Sequence, residues 1–377
     1  MLRIVSVLAL LALVAAAAWS VILARADAAF RAGTPEGVEQ AIAQMPGNAA
    51  YLAFGALQAD YDSRDSTLTL ERIARLNPTV SAPRIRLGLA AEQHGDLAAA
   101  EHWLREAYAV DHQFEPRWTL ANFYLRQRRA DDFWMWIRSA LEVSYGDRRP
   151  AFDLCWHMST DATEILARAI PNRDAVASDY LSYLLERKHP EALAAAAKNV
   201  RDQNLLLAVT DVLLENSRYA DVVEVWRQLG RNAPTGVTAP NFEEPQTGHG
   251  FDWRLVHSEG VTHLTLESGR GHRIRLSGKQ PENTELLRQM VGGLRPGQNY
   301  ELSARFSGDG GHEVAGLEWR IAGEEWVPSQ WDTGPEKMIF RAPAETAALV
   351  LAYRRLYGTV REAGTFDVHD VRIEMVR

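Results

Sequence analysis

The pattern of apolar and polar positions divides the chain into three regimes. Ile4 to Ala24 is one uncharged run, IVSVLALLALVAAAAWSVILA, with Arg3 before it and Arg25 after it. From about Thr34 to Leu229 apolar residues recur at helical spacing, with breaks at Pro171, Pro190 and Gly230. From Asn241 the period changes to two. Phe251, Trp253 and Leu255 alternate with Asp252 and Arg254; Tyr300, Leu302, Ala304 and Phe306 alternate with Glu301, Ser303 and Arg305. Leu317, Trp319 and Ile321 follow the same rule, then Leu349, Leu351 and Tyr353, then Phe366, Val368, Val371 and Ile373. Turns at Arg295-Pro296-Gly297, Gly308 to Gly311 and Thr333-Gly334-Pro335 separate these runs, so this part is expected to be an all-β sandwich. The first run, at ~1.5 Å per residue, spans roughly 30 Å, the thickness of a bilayer's hydrocarbon core.

The middle regime repeats. Phe54, Leu87 and Leu120 are separated by 33 residues, as are Gly55, Gly88 and Ala121, then Leu70, Trp103 and Trp136, and finally Ala74, Ala107 and Ala140. The central unit, APRIRLGLAAEQHGDLAAAEHWLREAYAVD from Ala82 to Asp111, is the clearest. Gly88, Ala91 and Ala100 are small where two helices would cross. Leu87, Leu104 and Ala107 are apolar at helical spacing, and Gly95-Asp96 is a turn. This order resembles the tetratricopeptide repeat, a pair of antiparallel helices that stacks on neighbouring pairs. His112 stands where that family usually has proline. Asp62 and Arg128 replace the turn glycine in the outer units, and Thr67 and Phe133 are in phase with Ala100.

The repeats are expected from about Asn48 to Asp147, after a short helix over residues 34–46. Beyond Ala151 the period continues while the repeat blurs. LLERKHPEALAAAA and LLENSRYADVVEVW read as degraded copies of one unit, their Leu-Leu-Glu triplets 29 residues apart. Arg231 to Gly236 is a linker. The expected domains are therefore residues 1–25, an anchor or signal segment; 26–234, a helical repeat domain; and 235–377, a β-sandwich. The fold class is a transmembrane helix, an α-helical solenoid and an all-β jelly roll.

Composition narrows the function. The 377 residues are 46% hydrophobic and 24% charged, which describes a globular chain. A net charge of −8 argues against nucleic acid as a partner, because phosphate binding needs a basic face. The single cysteine, Cys155, sits among apolar neighbours and reads as a buried structural thiol. Length favours retention of the apolar segment as an anchor, although Ala24-Arg25-Ala26 offers a small-x-small cleavage pattern. Either way the remainder is expected across a membrane: a single-pass protein of the bacterial inner membrane with its bulk in the periplasm or outside the cell.

Metalloprotease, nucleophile-elbow, Walker and dinucleotide-binding patterns are not found in the sequence. Glu324-Glu325 are adjacent on a strand pattern and point to opposite faces, which does not suit a glycosidase pair. In the last regime Asn241-Phe242-Glu243, Phe251-Asp252-Trp253, Arg288 to Val291, Pro296-Gly297, Tyr300 and Asp367 to Ile373 follow an order that resembles the jelly-roll carbohydrate-binding modules accompanying polysaccharide hydrolases. That resemblance implies a structural calcium ion at Glu243 and Asp370. It also implies a sugar site, for which Trp326, Trp331, Tyr353, Tyr357 and Arg355 are candidates, because sugar C–H faces stack on aromatic rings. Trp253 and Trp319 fall on core phase. Trp134 lies off the face shared by Phe133, Trp136 and Ile137 and is a candidate partner contact. The expectation is a non-enzymatic scaffold, binding proteins through the repeats and glycan through the sandwich, in exopolysaccharide or surface assembly. The alternative is a polysaccharide hydrolase or its accessory subunit.

Overall fold

The computed structural model of the chain describes residues 2–243, 246–266, 269–308, 315–321 and 336–376. The chain divides into two compact units, Met1–Pro171 and Asn172–Arg377.

The first unit is helical: α1 (Leu2–Arg31), α2 (Pro35–Gln44), α3 (Ala49–Tyr61), α4 (Thr67–Leu76), α5 (Ala82–Gln93), α6 (Leu97–Val110), α7 (Phe114–Arg126), α8 (Ala130–Val143), α9 (Arg149–Met158) and α10 (Ala162–Arg168). The pairs α3/α4, α5/α6 and α7/α8 are the three expected units. Side-chain caps fix several starts. Thr34 accepts from the Gly37 amide at 3.1 Å, Asn48 from Ala50 at 3.0 Å, Asp96 from Ala99 at 3.0 Å and Asp161 from Thr163 at 2.8 Å. Gly95 turns the central hairpin at φ +81°, and Arg128, in the same phase, adopts φ 55° without glycine. In the first hairpin the left-handed residue is Ser63, one position beyond the expected Asp62.

Close crossing explains the small residues. A Cβ on Gly88 would lie 2.6 Å from Leu104 Cδ2 and 3.2 Å from the Ala100 carbonyl oxygen. Leu87, Leu104, Ala107, Leu120, Ala121 and Ala140 are all buried. Phe54, in phase with Leu87, is 39% exposed because its layer lies near the end of the stack, where Phe30 of α1 covers only one edge of it. Cys155 is buried, and desolvation pushes its thiol well above the usual range, as a structural thiol requires.

The second unit joins α11 (Asp174–Arg187), α12 (Pro190–Ala197), α13 (Gln203–Glu215) and α14 (Tyr219–Gln228) to a β-sandwich. The 29-residue repeat is visible here: Lys188 and Ser217 turn the two hairpins at φ 58° and 56°. The strands are β1 (Arg254–Leu255), β2 (Val261–Thr265), β3 (His272–Ser277), β4 (Asn283–Gly292), β5 (Asn299–Gly308), β6 (Leu317–Ile321), β7 (Glu336–Arg341), β8 (Thr346–Arg354) and β9 (Ala363–Met375). They form two antiparallel sheets, ordered β1-β4-β8-β6 and β2-β3-β9-β5-β7. From β3 to β9 successive strands alternate between the sheets, the wrapping of a jelly roll. Trp253, Leu287, Trp319, Leu349, Leu351 and Phe366 fill the space between them.

The expected linker at residues 231–236 does not separate two bodies. Phe251, at the expected alternation but outside any strand, is buried edge-on against Trp226 of α14, 5.5 Å between ring centroids, and lies 6.2 Å from Tyr219. Asp211 of α13 accepts from the Gly250 amide at 2.8 Å and from Arg254 at 2.6 Å, and pairs with His249 at 2.6 Å. Arg231 reaches buried Asp252 at 2.8 Å and lies over the Trp226 ring. The sandwich is thus packed onto the last two hairpins, and the boundary expected at 234/235 lies inside one compact unit.

Candidate functional site

Two surfaces present organised side chains. The first is on the repeats. Successive first helices are tied by ion pairs that cross from layer to layer. Arg86 of α5 reaches back to Asp60 of α3, and Arg126 of α7 grips Glu92 of α5 in a two-pronged pair, Nε to Oε1 at 2.8 Å and NH2 to Oε2 at 2.6 Å. Gln127 adds a third donor to Glu92 at 3.2 Å. Leu89, one turn before Glu92, is partly exposed, and Gln93 is exposed beside it.

A tyrosine on the first helix α7 ties its layer to the second helix α6 of the layer before. The fully buried Tyr124 donates its hydroxyl to Glu101 at 2.9 Å. Glu101 also accepts from Arg105 at 3.0 Å and Arg129 at 2.6 Å, and the Arg129 guanidinium stands 4.7 Å from the Tyr124 ring centre. Burial, followed by the hydrogen bond to Glu101, pushes the Tyr124 hydroxyl up to about 12, so it stays a donor at any physiological pH. Sequence reasoning missed this knot, because Tyr124 corresponds to Ala91 in the preceding unit and so lies outside the repeat pattern.

Trp134 is not a surface contact. It is 2% exposed, meets Phe133 edge-on at 4.9 Å and has the Arg168 guanidinium over its ring at 5.7 Å. The expectation treated α8 as burying one face, but α10 packs on it as well and covers the other.

The second surface is the outer side of the sheet β1-β4-β8-β6. Strand β8 turns Leu349, Leu351 and Tyr353 into the core and Ala348, Val350 and Ala352 outward. Val350 is in register with Arg288 of β4 and Arg320 of β6, and Arg254 of β1 continues the row. Ala352 is in register with Glu285 and Glu318. Arg320 donates to Glu318 at 2.8 Å and to Asn283 at 2.5 Å. Burial raises the Glu318 carboxyl above its ordinary range even though Arg320 opposes the shift. Ala348, Val350, Ala352 and Glu318 are themselves buried, so this face presents the charged and polar groups around them rather than an open apolar floor.

The expected glycan residues are scattered. Trp326 and Trp331 lie outside the described residues. Tyr353 is fully buried, its hydroxyl accepting from the Glu362 amide at 3.0 Å, because it shares the inward phase of Leu349 and Leu351. Arg355 pairs with Glu282 at 3.3 Å, and Tyr357 is fully exposed in the loop after β8. Among the described residues, no group of three or more acidic, histidine or cysteine side chains is placed to hold a metal ion. Glu243 is exposed, and the Asp370 carboxylate is already engaged by Arg305 and by Arg372 at 3.5 Å. Asp370 takes φ 50° at an irregularity in the β5–β9 pairing, and its amide donates to the Asn241 side chain at 2.9 Å. The hydrogen bond from the Asp370 amide to Asn241 ties this opening segment to β9.

The geometry defines a class: stacked TPR-like helical hairpins followed by an antiparallel β-sandwich. No protein-family profile matches the sequence, and a comparison with curated protein sequences finds no match. Among solved structures, the chain is similar over 52% of its length to a chain in a crystal structure of the APC/C hetero-tetramer Cut9-Hcn1, covering 35% of that chain at 14% identity and a TM-score of 0.28. A Pseudomonas aeruginosa pilF structure matches over 51% of this chain and 77% of its own at 15% identity and a TM-score of 0.23. The P58(IPK) TPR domain matches over 56% and 59% at 14% identity and a TM-score of 0.24. The chain thus spans about a third of the first of these.

Proposed function

We propose that this protein is a non-enzymatic, membrane-anchored scaffold whose helical layers hold a protein partner. The observation that carries this reading is the pair of cross-layer locks, Asp60–Arg86 and Glu92–Arg126. They hold three first helices in fixed relation, so that the exposed side chains beside them, Leu89 and Gln93, belong to one rigid surface. A preformed surface binds without the entropy cost of ordering itself. α1 supplies the anchor: among the described residues, Val7–Arg31 is long and apolar enough to cross a membrane.

A photo-crosslinking amino acid at Leu89 tests the reading in cells. We expect one discrete adduct from position 89, reduced by Arg126→Glu, and none from the exposed Glu106 on α6. Equal labelling from both positions, or none from either, would overturn it.

The sandwich adds a glycan-binding surface in this proposal. Arg320 and the exposed Asn283 offer polar partners for sugar hydroxyls, at the edge of a face whose Ala348, Val350 and Ala352 are buried. Calorimetric titration of the intact chain with acidic and neutral polysaccharides reads this directly. Arg320→Ala should weaken binding at least tenfold, and affinity unaffected by that change would place the sugar elsewhere.

A further inference from the structure

The helix α1 changes surroundings along its length. The large side chains from Val5 to Val21 are 52–68% exposed, Ile22 and Leu23 drop to 38% and 39%, and Ala26 is completely buried. Ala26, Ala41 and Tyr51 form one cluster with Phe30, Ile42 and Met45 packed on it. Phe30 lies 4.7 Å from the Tyr51 ring and 5.5 Å from Phe54. The Tyr51 hydroxyl donates to Asp27 at 3.5 Å. Gly37 of α2 crosses so near that a Cβ there would collide with the Ala29 carbonyl oxygen.

These contacts have the form of a repeat layer. Ala41 continues the series Ala74, Ala107 and Ala140 back by one further step of 33 residues. Each of these alanines is buried in the second helix of a hairpin. α2 is therefore the second helix of an additional layer, and the C-terminal turns of α1 are its first helix.

We infer that the apolar segment is retained in the mature protein and is joined to the solenoid without a linker, one helix serving as both membrane span and first repeat helix. The inference rests on the membrane reading proposed above. The small-x-small pattern at Ala24-Arg25-Ala26 lies in unbroken helix, and its last residue is buried in the first layer. Cleavage after Ala26 would leave Asp27 to Arg31, too short to stand as a helix, and would strip the cover from Ala41 and Tyr51. Length agrees. Ile4 to Ile22 at ~1.5 Å per residue is about 28 Å, close to a hydrocarbon core, so the packed part begins where the bilayer ends. α2 runs back along α1, from Gly37 beside Ala29 to Ala41 beside Ala26, which turns Met45-Pro46-Gly47 toward the membrane surface. The first layer is thereby held against the bilayer, and a partner bound there is restricted to membrane-proximal molecules.

The test uses the full chain in its own membranes. Alkaline extraction reads anchoring, and the intact mass reads processing. We expect a carbonate-resistant protein that still contains residues 4–26. A membrane-bound chain beginning at Asp27 would overturn retention while leaving attachment intact; an unprocessed chain released by carbonate would overturn the membrane reading itself.

The shared layer has its own readout. Cys155 is buried, so introduced thiols react against a quiet background. Gln44→Cys should react with a membrane-impermeant maleimide and Ser20→Cys should not. Adding Ala26→Leu, which overpacks the α1–α2 contact, should increase proteolysis at residues 45–48 at least fivefold without releasing the chain from membranes, while Ala28→Leu on the exposed side changes nothing. Equal behaviour of the two leucine variants would refute the shared helix.

Discussion

Gly88 offers the sharpest test of the packing. In an exposed helix, replacing glycine with alanine gains about 1 kcal/mol of helix propensity. At position 88 the new methyl would sit 2.6 Å from Leu104 Cδ2, 2.7 Å from its Cγ and 3.2 Å from the Ala100 carbonyl oxygen. Leu104 and Ala100 are both buried, so neither can move aside freely. Overpacking of this kind costs about 1–3 kcal/mol. The expected net effect of Gly88→Ala is a loss of about 1 kcal/mol, and of Gly88→Val about 3 kcal/mol, because valine adds two further methyls and is held to one χ1 rotamer in a helix. For a unit of this size each kcal/mol moves the Tm by about 2–4 °C. Thermal melts of the full chain in detergent, with hydrogen exchange resolved to α5 and α6, measure the loss and place it. A double-mutant cycle isolates the cause: Leu104→Ala opens space for the methyl that Gly88→Ala introduces, so the two changes together should cost at least about 1 kcal/mol less than their sum. A Tm that rises in Gly88→Ala, or strict additivity with Leu104→Ala, would refute the close crossing.

Other predictions follow from the same contacts. Phe251→Ala should cost about 3–5 kcal/mol by emptying the space against Trp226 and Tyr219; limited proteolysis should then cut at residues 231–236, where the native chain resists. Tyr124→Phe removes the buried donor to Glu101 and should destabilise the first unit by about 1–2 kcal/mol in urea titrations. Stability of the second unit should fall with acid. His272 is held down to about 4 by burial and then by His263, with Asp367 opposing and itself paired with Arg273; His263 is lowered by burial and by His257. Both bind protons more readily when unfolded, so this contribution is complete above pH 6.5 and is lost as pH falls toward 4. It amounts to about 3 kcal/mol at most for His272. His272→Gln should flatten the stability–pH curve between pH 4 and 6.5, and an unchanged curve would show that the slope arises elsewhere.

Which features were legible depended on how local their cause is. Gly88, Leu104 and Ala107 announced a hairpin because each acts within thirty residues of its partner. The alternation through Leu349, Leu351 and Tyr353 marked a strand with one face inward, and that same phase should have excluded Tyr353 from a sugar site. Trp134 misled because a helical face is judged against one neighbour, while α8 packs against α7, α9 and α10. Asp370 was legible as a carboxylate at the end of a motif, but the sequence does not reveal the arginine, Arg305, that β5 brings to it.

The sequence by itself determined the elements and their order: a span-length apolar helix, hairpins of period 33 and 29, and a wrapped antiparallel sandwich. These follow from side-chain periodicity and turn chemistry, which are properties of neighbours in the chain. Only the tertiary structure decided that the sandwich packs onto α13 and α14 through Asp211, Trp226 and Phe251, and that α1 packs into the first layer through Ala26. Those contacts join residues that carry no shared pattern, so burial and pairing become visible only once the chain has closed on itself.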